Sequence, residues 1–525
     1  MPAGRNASDL SRLVRGGTFT LAGSISGSVL RFLSIVVITR GLDAARAGVL
    51  FEGIALFTIA SNIAELGADT GLVRAVARDR ALGHTHDIRR TAAVALWPVL
   101  AIGIVLGAAG FVLAPRLAAV LIHGARRADG VATIRVLSMF LPLAALTTVA
   151  LSGTRGFGTM RAYVVIQNVA VPALRPLLMA GTLVAGLGMV AVTLAWSLPV
   201  AVGFAAALGA LFALVGVAER REPRDASSAR SLRELASEFW RFSAPRGLSV
   251  VFAVALAWLD VLLVGALRTA PEAGVYATVA RFISVGEFSL QAASLAIAPQ
   301  LSALIARDQS GRAQMLFQTA TWWLMAPAWP LYVSLALFGP FLLRIFGAQY
   351  ITGSTALLIM VPAMIFFVGT GNNKIVLLMG GKSSWSLISI ASALLINVVL
   401  NLILIPRLGI NGAAIAFAAA IVVDNAIVTI AVRVFLKMHP FGRGYPIVAI
   451  GSIVCYGAVG LVIKLSLGIS LASFLLYGVV ATELYIALLW RFRTTLKLQI
   501  LRKAFRVPGG GREGGADRTD SRRTT

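Results

Sequence analysis

FWRFSAPRGLSVVFAVALAWLDVLLVGAL, residues 239–267, is long and apolar enough to cross a bilayer, yet it carries Arg246 and Asp260. A span needs about 20 mainly apolar residues, and an ionised group inside one is costly enough to mark a functional position. Just ahead lies AERREPRDASSARSLRELASE (218–238), the most polar internal segment. Apolar runs lie on both sides, so residue 239 reads as the opening of a second half.

Composition agrees: of 525 residues 58% are hydrophobic and only 13% charged, with mean hydropathy +0.85. A soluble core of this size does not need so much apolar surface. Fourteen runs read as spans, near 18–40, 47–69, 91–114, 131–152, 160–183, 188–216, 244–267, 274–298, 314–338, 351–371, 384–405, 411–435, 446–464 and 470–490. They are helices, because the strands of a membrane barrel alternate polar and apolar residues and these runs do not.

The net charge of +25 raises the question of nucleic acid, and the placement of the cations answers it. Of 47 Lys and Arg residues, 33 fall on the side of the N-terminus, 9 on the opposite side and 5 inside spans. This is the asymmetry of the positive-inside rule; it puts both termini in the cytoplasm and makes the basic excess a topology signal that needs no nucleic acid. Cys455 is the only cysteine, which excludes an internal disulfide and a thiolate zinc site. His84-Thr85-His86 has metal-like spacing without a nearby third ligand, so neither a metal nor another cofactor is expected.

Polar residues recur in the spans on helical spacing. In the first, Thr20, Ser24, Gly27, Arg31 and Ser34 lie at intervals of 4, 3, 4 and 3, one face of a helix. That face is expected to line a water-filled cavity; the alternative is close helix packing with Arg31 paired to a carboxylate such as Asp260. The second span gathers Thr58, Ser61, Asn62, Glu65 and Asp69 on one side, expected to meet the face of the first. The fifth carries Asn168 and Arg175, with Pro172 and Pro176 removing backbone hydrogen bonds, so a kink is expected. In the eighth, Arg281 shares a polar side with Ser284, Glu287 and Gln291. SLRELASEFWRF (231–242) reads as an amphipathic helix that leads into the seventh span and lies in the inner interface, where RFRTTLKLQILRKAFR (491–506) is expected to lie too, ahead of a Gly-rich polar tail.

The two halves repeat. RAGVLFEGIALFTI (46–59) resembles EAGVYATVARFISV (272–285), with Ala47-Gly48-Val49 matching Ala273-Gly274-Val275 at an offset of 226. Arg78-Asp79 and Arg307-Asp308 follow at 229, and GLGMVAV (186–192) stands where RLGINGA (407–413) does, at 221. Six spans separate the copies, so both halves enter the membrane in the same direction, with the pseudo-twofold along the membrane normal and a cavity between them. The expected organisation is a cytoplasmic N-terminus (1–17), a six-helix bundle (18–216), a cytoplasmic linker with its amphipathic helix (217–243), a second bundle (244–435), two further spans (446–490) and a basic cytoplasmic tail (491–525). The fold class is thus all-α and polytopic, about 14 transmembrane helices in two pseudo-symmetric bundles plus two C-terminal helices.

The passages ITRGLDAARAGVLFEG…ELGADTGLVR, SAPRGLS…WLDVLLVG…AGVYATVARF and RLGINGAAIAF resemble the polysaccharide-exporter (Wzx-like) branch of the multidrug/oligosaccharidyl-lipid/polysaccharide (MOP) flippase superfamily, over roughly residues 10–490. The resemblance implies a V-shaped cavity between the bundles and a substrate in which a sugar chain is joined by a pyrophosphate to a polyprenyl lipid. It further implies the cytoplasmic membrane of a bacterium, with polysaccharide polymerases or glycosyltransferases as partners. A pyrophosphate needs cations: Arg31, Arg175, Arg246 and Arg281 are candidates, each offering a planar fork to phosphate oxygens. Asp260, which falls nearest the family's seventh-span acidic position, with Glu287, Asp424 and Glu65, could take a coupling proton or sodium ion.

Three functions fit such a chain: a lipid-linked oligosaccharide flippase, a cation-coupled multidrug exporter of the same superfamily, and a membrane glycosyltransferase or ligase. The last needs catalytic carboxylates or histidines on a sizeable outer loop, and the loops near 115–130 and 339–350 hold no such set, so the chain is not expected to be an enzyme. Several cavity arginines favour the flippase.

Overall fold

The computed structural model of the chain describes residues 3–123, 126–221, 230–284 and 300–497, and every regular element among them is helical. The first half comprises α1 (Ala3–Gly41), α2 (Ala44–Glu65), α3 (Ala68–Ala81), α4 (Ile88–Leu121), α5 (Arg127–Gly156), α6 (Arg161–Val184) and α7 (Met189–Arg221). The second comprises α8 (Leu232–Leu267), α9 (Ala270–Ile283), α10 (Ser310–Leu343), α11 (Ser354–Gly369), α12 (Asn373–Met379), α13 (Ser383–Leu408) and α14 (Ile410–Phe435). Two further helices, α15 (Tyr445–Leu467) and α16 (Leu471–Arg491), pack on each other and on α10. Thirteen described helical segments are long and apolar enough to cross a membrane. The remaining expected span, 274–298, begins within α9 and continues beyond the described residues.

Two signatures mark this as a bilayer protein. Large apolar side chains stand exposed in stripes, as Trp97, Val105 and Val112 do along α4, a pattern that water penalises and lipid accepts. Between helices the packing uses small residues: Gly103 and Gly107 of α4 lie against Pro142 and the Ser138 carbonyl of α5, where a side chain would collide with the neighbour.

The repeat is visible as a local twofold. Asp43 caps α2 by accepting from the Arg46 N–H at 2.9 Å, and 226 residues on Thr269 caps α9 by accepting from the Glu272 N–H at 3.4 Å. The two helices then cross at the matched glycines. A Cβ on Gly48 would strike the Ala270 carbonyl, and one on Gly274 would come within 2.7 Å of the Ala44 carbonyl. Each copy thus meets in the other the residue that meets it, the signature of an isologous contact.

At the opposite end, where the linker joins the halves, α2 stops at Leu66 (φ 46°) and Gly67 (φ 75°). These consecutive left-handed residues turn the chain into α3 exactly alongside α8: Gly67 abuts the Ser243 carbonyl and Gly247, and Gly247 abuts the Leu66 carbonyl. The stretch 231–242 belongs to this contact and leads into the seventh span as expected. It is the first three turns of α8: Ser231 and Glu234 form a capping box, nothing breaks the helix before residue 244, and Leu235 and Phe239 are buried, Phe239 in the space that Gly71 leaves. With 36 residues α8 is about 54 Å long, more than a bilayer core of about 30 Å. The segment 491–506 is described only to residue 497.

Candidate functional site

A cavity of about 490 Å³ lies among α1, α2, α5, α6 and α7, and Trp258, Arg281 and Ser284 of α8 and α9 close its side. Among the described residues its lining comes mostly from the first half, with Trp258, Arg281 and Ser284 contributed by the second. The polar faces of the first two spans do meet across it, Ser28, Arg31 and Ser34 on one wall and Thr58, Ser61, Asn62 and Glu65 on the other.

Three of the four candidate arginines line this space. Arg31 donates from Nη2 to Asn168 Oδ1 at 3.2 Å, and Asn168 in turn donates to Ser24 Oγ at 3.5 Å. Its partner is therefore a neutral amide and not Asp260. Arg175 donates from Nε to the Trp196 carbonyl at 3.2 Å and lies 3.9 Å over the Trp196 ring; Arg281 donates from Nη2 to the Ala257 carbonyl at 2.7 Å and lies 3.5 Å over the Trp258 ring. Indole faces hold both guanidiniums in place. Arg246 lies elsewhere. It is exposed near the linker end and shares the ring of Phe242 with Arg74, whose guanidinium is 4.0 Å from the ring centre.

The expected distortion of α6 takes the form of a π-helical stretch, Val164–Ala170. Pro172 has no N–H to offer the Asn168 carbonyl, and the turn widens there. That carbonyl abuts Gly27 of α1, so the distortion lets α1 approach and brings Asn168 to Arg31.

The candidate carboxylates divide. Glu65 lines the cavity, with Asp69 nearby. Asp260 is buried away from it, accepting from Tyr276 Oη at 2.6 Å and from Asn401 Nδ2 at 2.7 Å; Asn401 also donates to Asn397 at 3.0 Å. Asp424 is buried and paired with Lys374 at 2.6 Å. Glu287 lies outside the described residues. Trp196, Trp258, Asn397, Asn401 and Lys374 were not singled out in the sequence, although Asn397 and Asn401, four apart in an apolar span, carried a readable signal.

At the linker end Arg230 joins the halves, donating to Asp79 at 2.6 Å, Asp87 at 2.9 Å and Glu238 at 3.3 Å. Burial works against its charge, but the hydrogen bonds and charges of Asp87 and Asp79 outweigh this and raise its pKa above the ordinary arginine value.

Residues 13–305 match the family model described as polysaccharide biosynthesis protein. The chain belongs to that family. Among solved structures, a lipid II flippase MurJ in an inward closed conformation shares the fold at TM-score 0.70 and 11% identity, covering 91% of this chain and 99% of the other. An inward-facing multidrug resistance MATE family transporter of the MOP superfamily superposes at TM-score 0.66 and 17% identity, covering 78% and 94%. A MOP superfamily transporter from Pyrococcus furiosus follows at 0.56 and 16%, covering 81% and 95%. No curated protein matches the chain at a significant level. Family and fold agree with the resemblance read from the sequence: the chain is a multi-pass membrane protein of the polysaccharide biosynthesis family whose fold is that of MOP superfamily transporters.

Proposed function

We propose that the protein translocates a polyprenyl-diphosphate-linked oligosaccharide across a bacterial cytoplasmic membrane by alternating access of its two bundles, 18–216 and 244–435, without catalysing a chemical step. One observation carries the reading: Arg31, Arg175 and Arg281, drawn from both halves, converge on one cavity in which Glu65 is the one carboxylate among the described lining residues. Clustered guanidiniums in a low-dielectric space are costly by several kcal/mol, and a bound diphosphate offsets that cost. The charge bias puts the linker end and both termini in the cytoplasm, where glycosyltransferases would supply the sugar and from where polymerases outside would receive it. Asp260, Asp424 or Glu65 takes the coupling proton or sodium ion.

The second reading, a cation-coupled multidrug exporter, draws on the aromatic share of the cavity wall, Phe32, Phe51, Phe57, Trp196 and Trp258. The two are separated by depletion in the native host and complementation. On the first reading, depletion accumulates a lipid-linked intermediate, Arg31→Ala and Arg281→Ala each fail to clear it, and the lysine replacements clear it partly, since charge survives without the bidentate fork. Normal clearance by both alanine variants overturns the cationic-cavity reading in favour of the exporter.

A further inference from the structure

Glu52 lies on α2, about one turn from the Gly48–Gly274 crossing, in the otherwise apolar run VLFEGIALF. It is 1% exposed, and among the described residues neither of its carboxyl oxygens has a hydrogen-bond partner. It points across the seam between the halves at Gly265 of α8. A Cβ there would stand 2.5 Å from the Glu52 carboxyl carbon, so only glycine leaves room for this side chain. The other face of Gly265 is held from the first half as well, its carbonyl accepting from His123 Nδ1 at 3.2 Å.

Charged groups on the surrounding helices are engaged elsewhere. On α8 and α9, Asp260 and Tyr276 bind each other and Arg268 binds Glu272. On α5, Arg126 and Asp129 pair beside Asp43 while Arg135 lies on Phe111. At the end of α1, Arg40 donates to the carbonyls of Arg344 and Ile345. Among the described residues no hydrogen-bond donor reaches either carboxyl oxygen of Glu52, and a single carboxyl offers too few oxygens for a sodium ion. A neutral carboxylic acid tolerates such a place far better than an anion does.

We propose that Glu52 is a proton-binding site that couples the contact between α2 and α8 to pH: protonated, it permits the halves to close at the end carrying Gly48 and Gly274; deprotonated, it holds them apart there. Separation of α2 from α8 at this end wets the carboxyl and lets it ionise, and closure requires the proton back. Low pH therefore favours this closed form. The inference rests on the alternating-access reading and is independent of the substrate.

The test uses the full chain in nanodiscs with spin labels at Leu187→Cys and Leu408→Cys, exposed positions in the two halves at this end, in a Cys455→Ser background. The population at long distance is expected to rise about threefold or more between about pH 5.5 and about pH 8.5. Glu52→Gln, and Glu52→Met as an apolar replacement of similar length, are expected to remain at short distance throughout, while His123→Gln keeps the shift. A pH-independent parent protein, an unchanged shift in both Glu52 variants, or loss of the shift in His123→Gln alone overturns the proposal. Added polyprenyl diphosphate that moves the labels when pH does not overturns it while leaving alternating access standing; labels that move under neither condition sink both.

Discussion

The two halves share a fold and a seam but spend their buried polar groups differently. In the first, guanidiniums face open space and are steadied by amides, carbonyls and indoles, with no carboxylate pairing Arg31 or Arg175 among the described residues. In the second, Asp260 and Asp424 are closed off, one by Tyr276 and Asn401, the other by Lys374. The same repeat unit turns guanidiniums toward a cavity on one side and encloses its carboxylates on the other. Side chains that wait for a ligand and side chains that hold the protein together respond differently to removal, and mutation can separate them.

The largest expected effect falls on the seam. Arg230→Ala strands Asp79 and Asp87, which are 2% and 0% exposed, and is expected to lower unfolding free energy by about 3–5 kcal/mol. Thermal unfolding in detergent measures it, and an unchanged midpoint would mean that the halves are not joined here. In the second half, Lys374→Ala leaves Asp424 without its cation; since the lysine is partly exposed, a loss of about 2 kcal/mol is expected. The double variant Lys374→Ala/Asp424→Ala should recover most of it, and failure to recover would break the description of this half as a closed frame. Asp260→Asn replaces an acceptor by a group facing two donors and should cost about 1–3 kcal/mol. Full stability with loss of transport would move Asp260 from frame to coupling. The smallest effect on stability is expected in the first half, where Arg31→Ala should cost under about 1 kcal/mol yet weaken polyprenyl diphosphate binding about tenfold. A large loss of stability would make Arg31 part of the frame after all.

Much of this was legible in the chain. The spans follow from apolar runs, the polar walls of the cavity from 3–4 spacing in the first two spans, and the twofold from Ala47-Gly48-Val49 against Ala273-Gly274-Val275. The rest depended on facts that spacing does not carry. Arg246 and Arg31 look alike in sequence, each an arginine in an apolar run, but one turns to Phe242 at the linker end and the other into the cavity. Asp260 finds its partners 16 and 141 residues away. The capping box at Ser231 fixes where α8 begins, which amphipathic spacing alone does not. Glu52 carried the same signal as Asp260, a lone acid in an apolar run, and was passed over because its meaning depends on Gly265 from another helix.

The crossing of Gly48 and Gly274 constrains how the two copies can diverge. In most duplicated proteins each copy drifts alone, since a change in one is absorbed by its own surroundings. Here each glycine makes room for the backbone of the other copy, so a side chain gained by either is paid for by both. The duplication left a point where the halves still share one history.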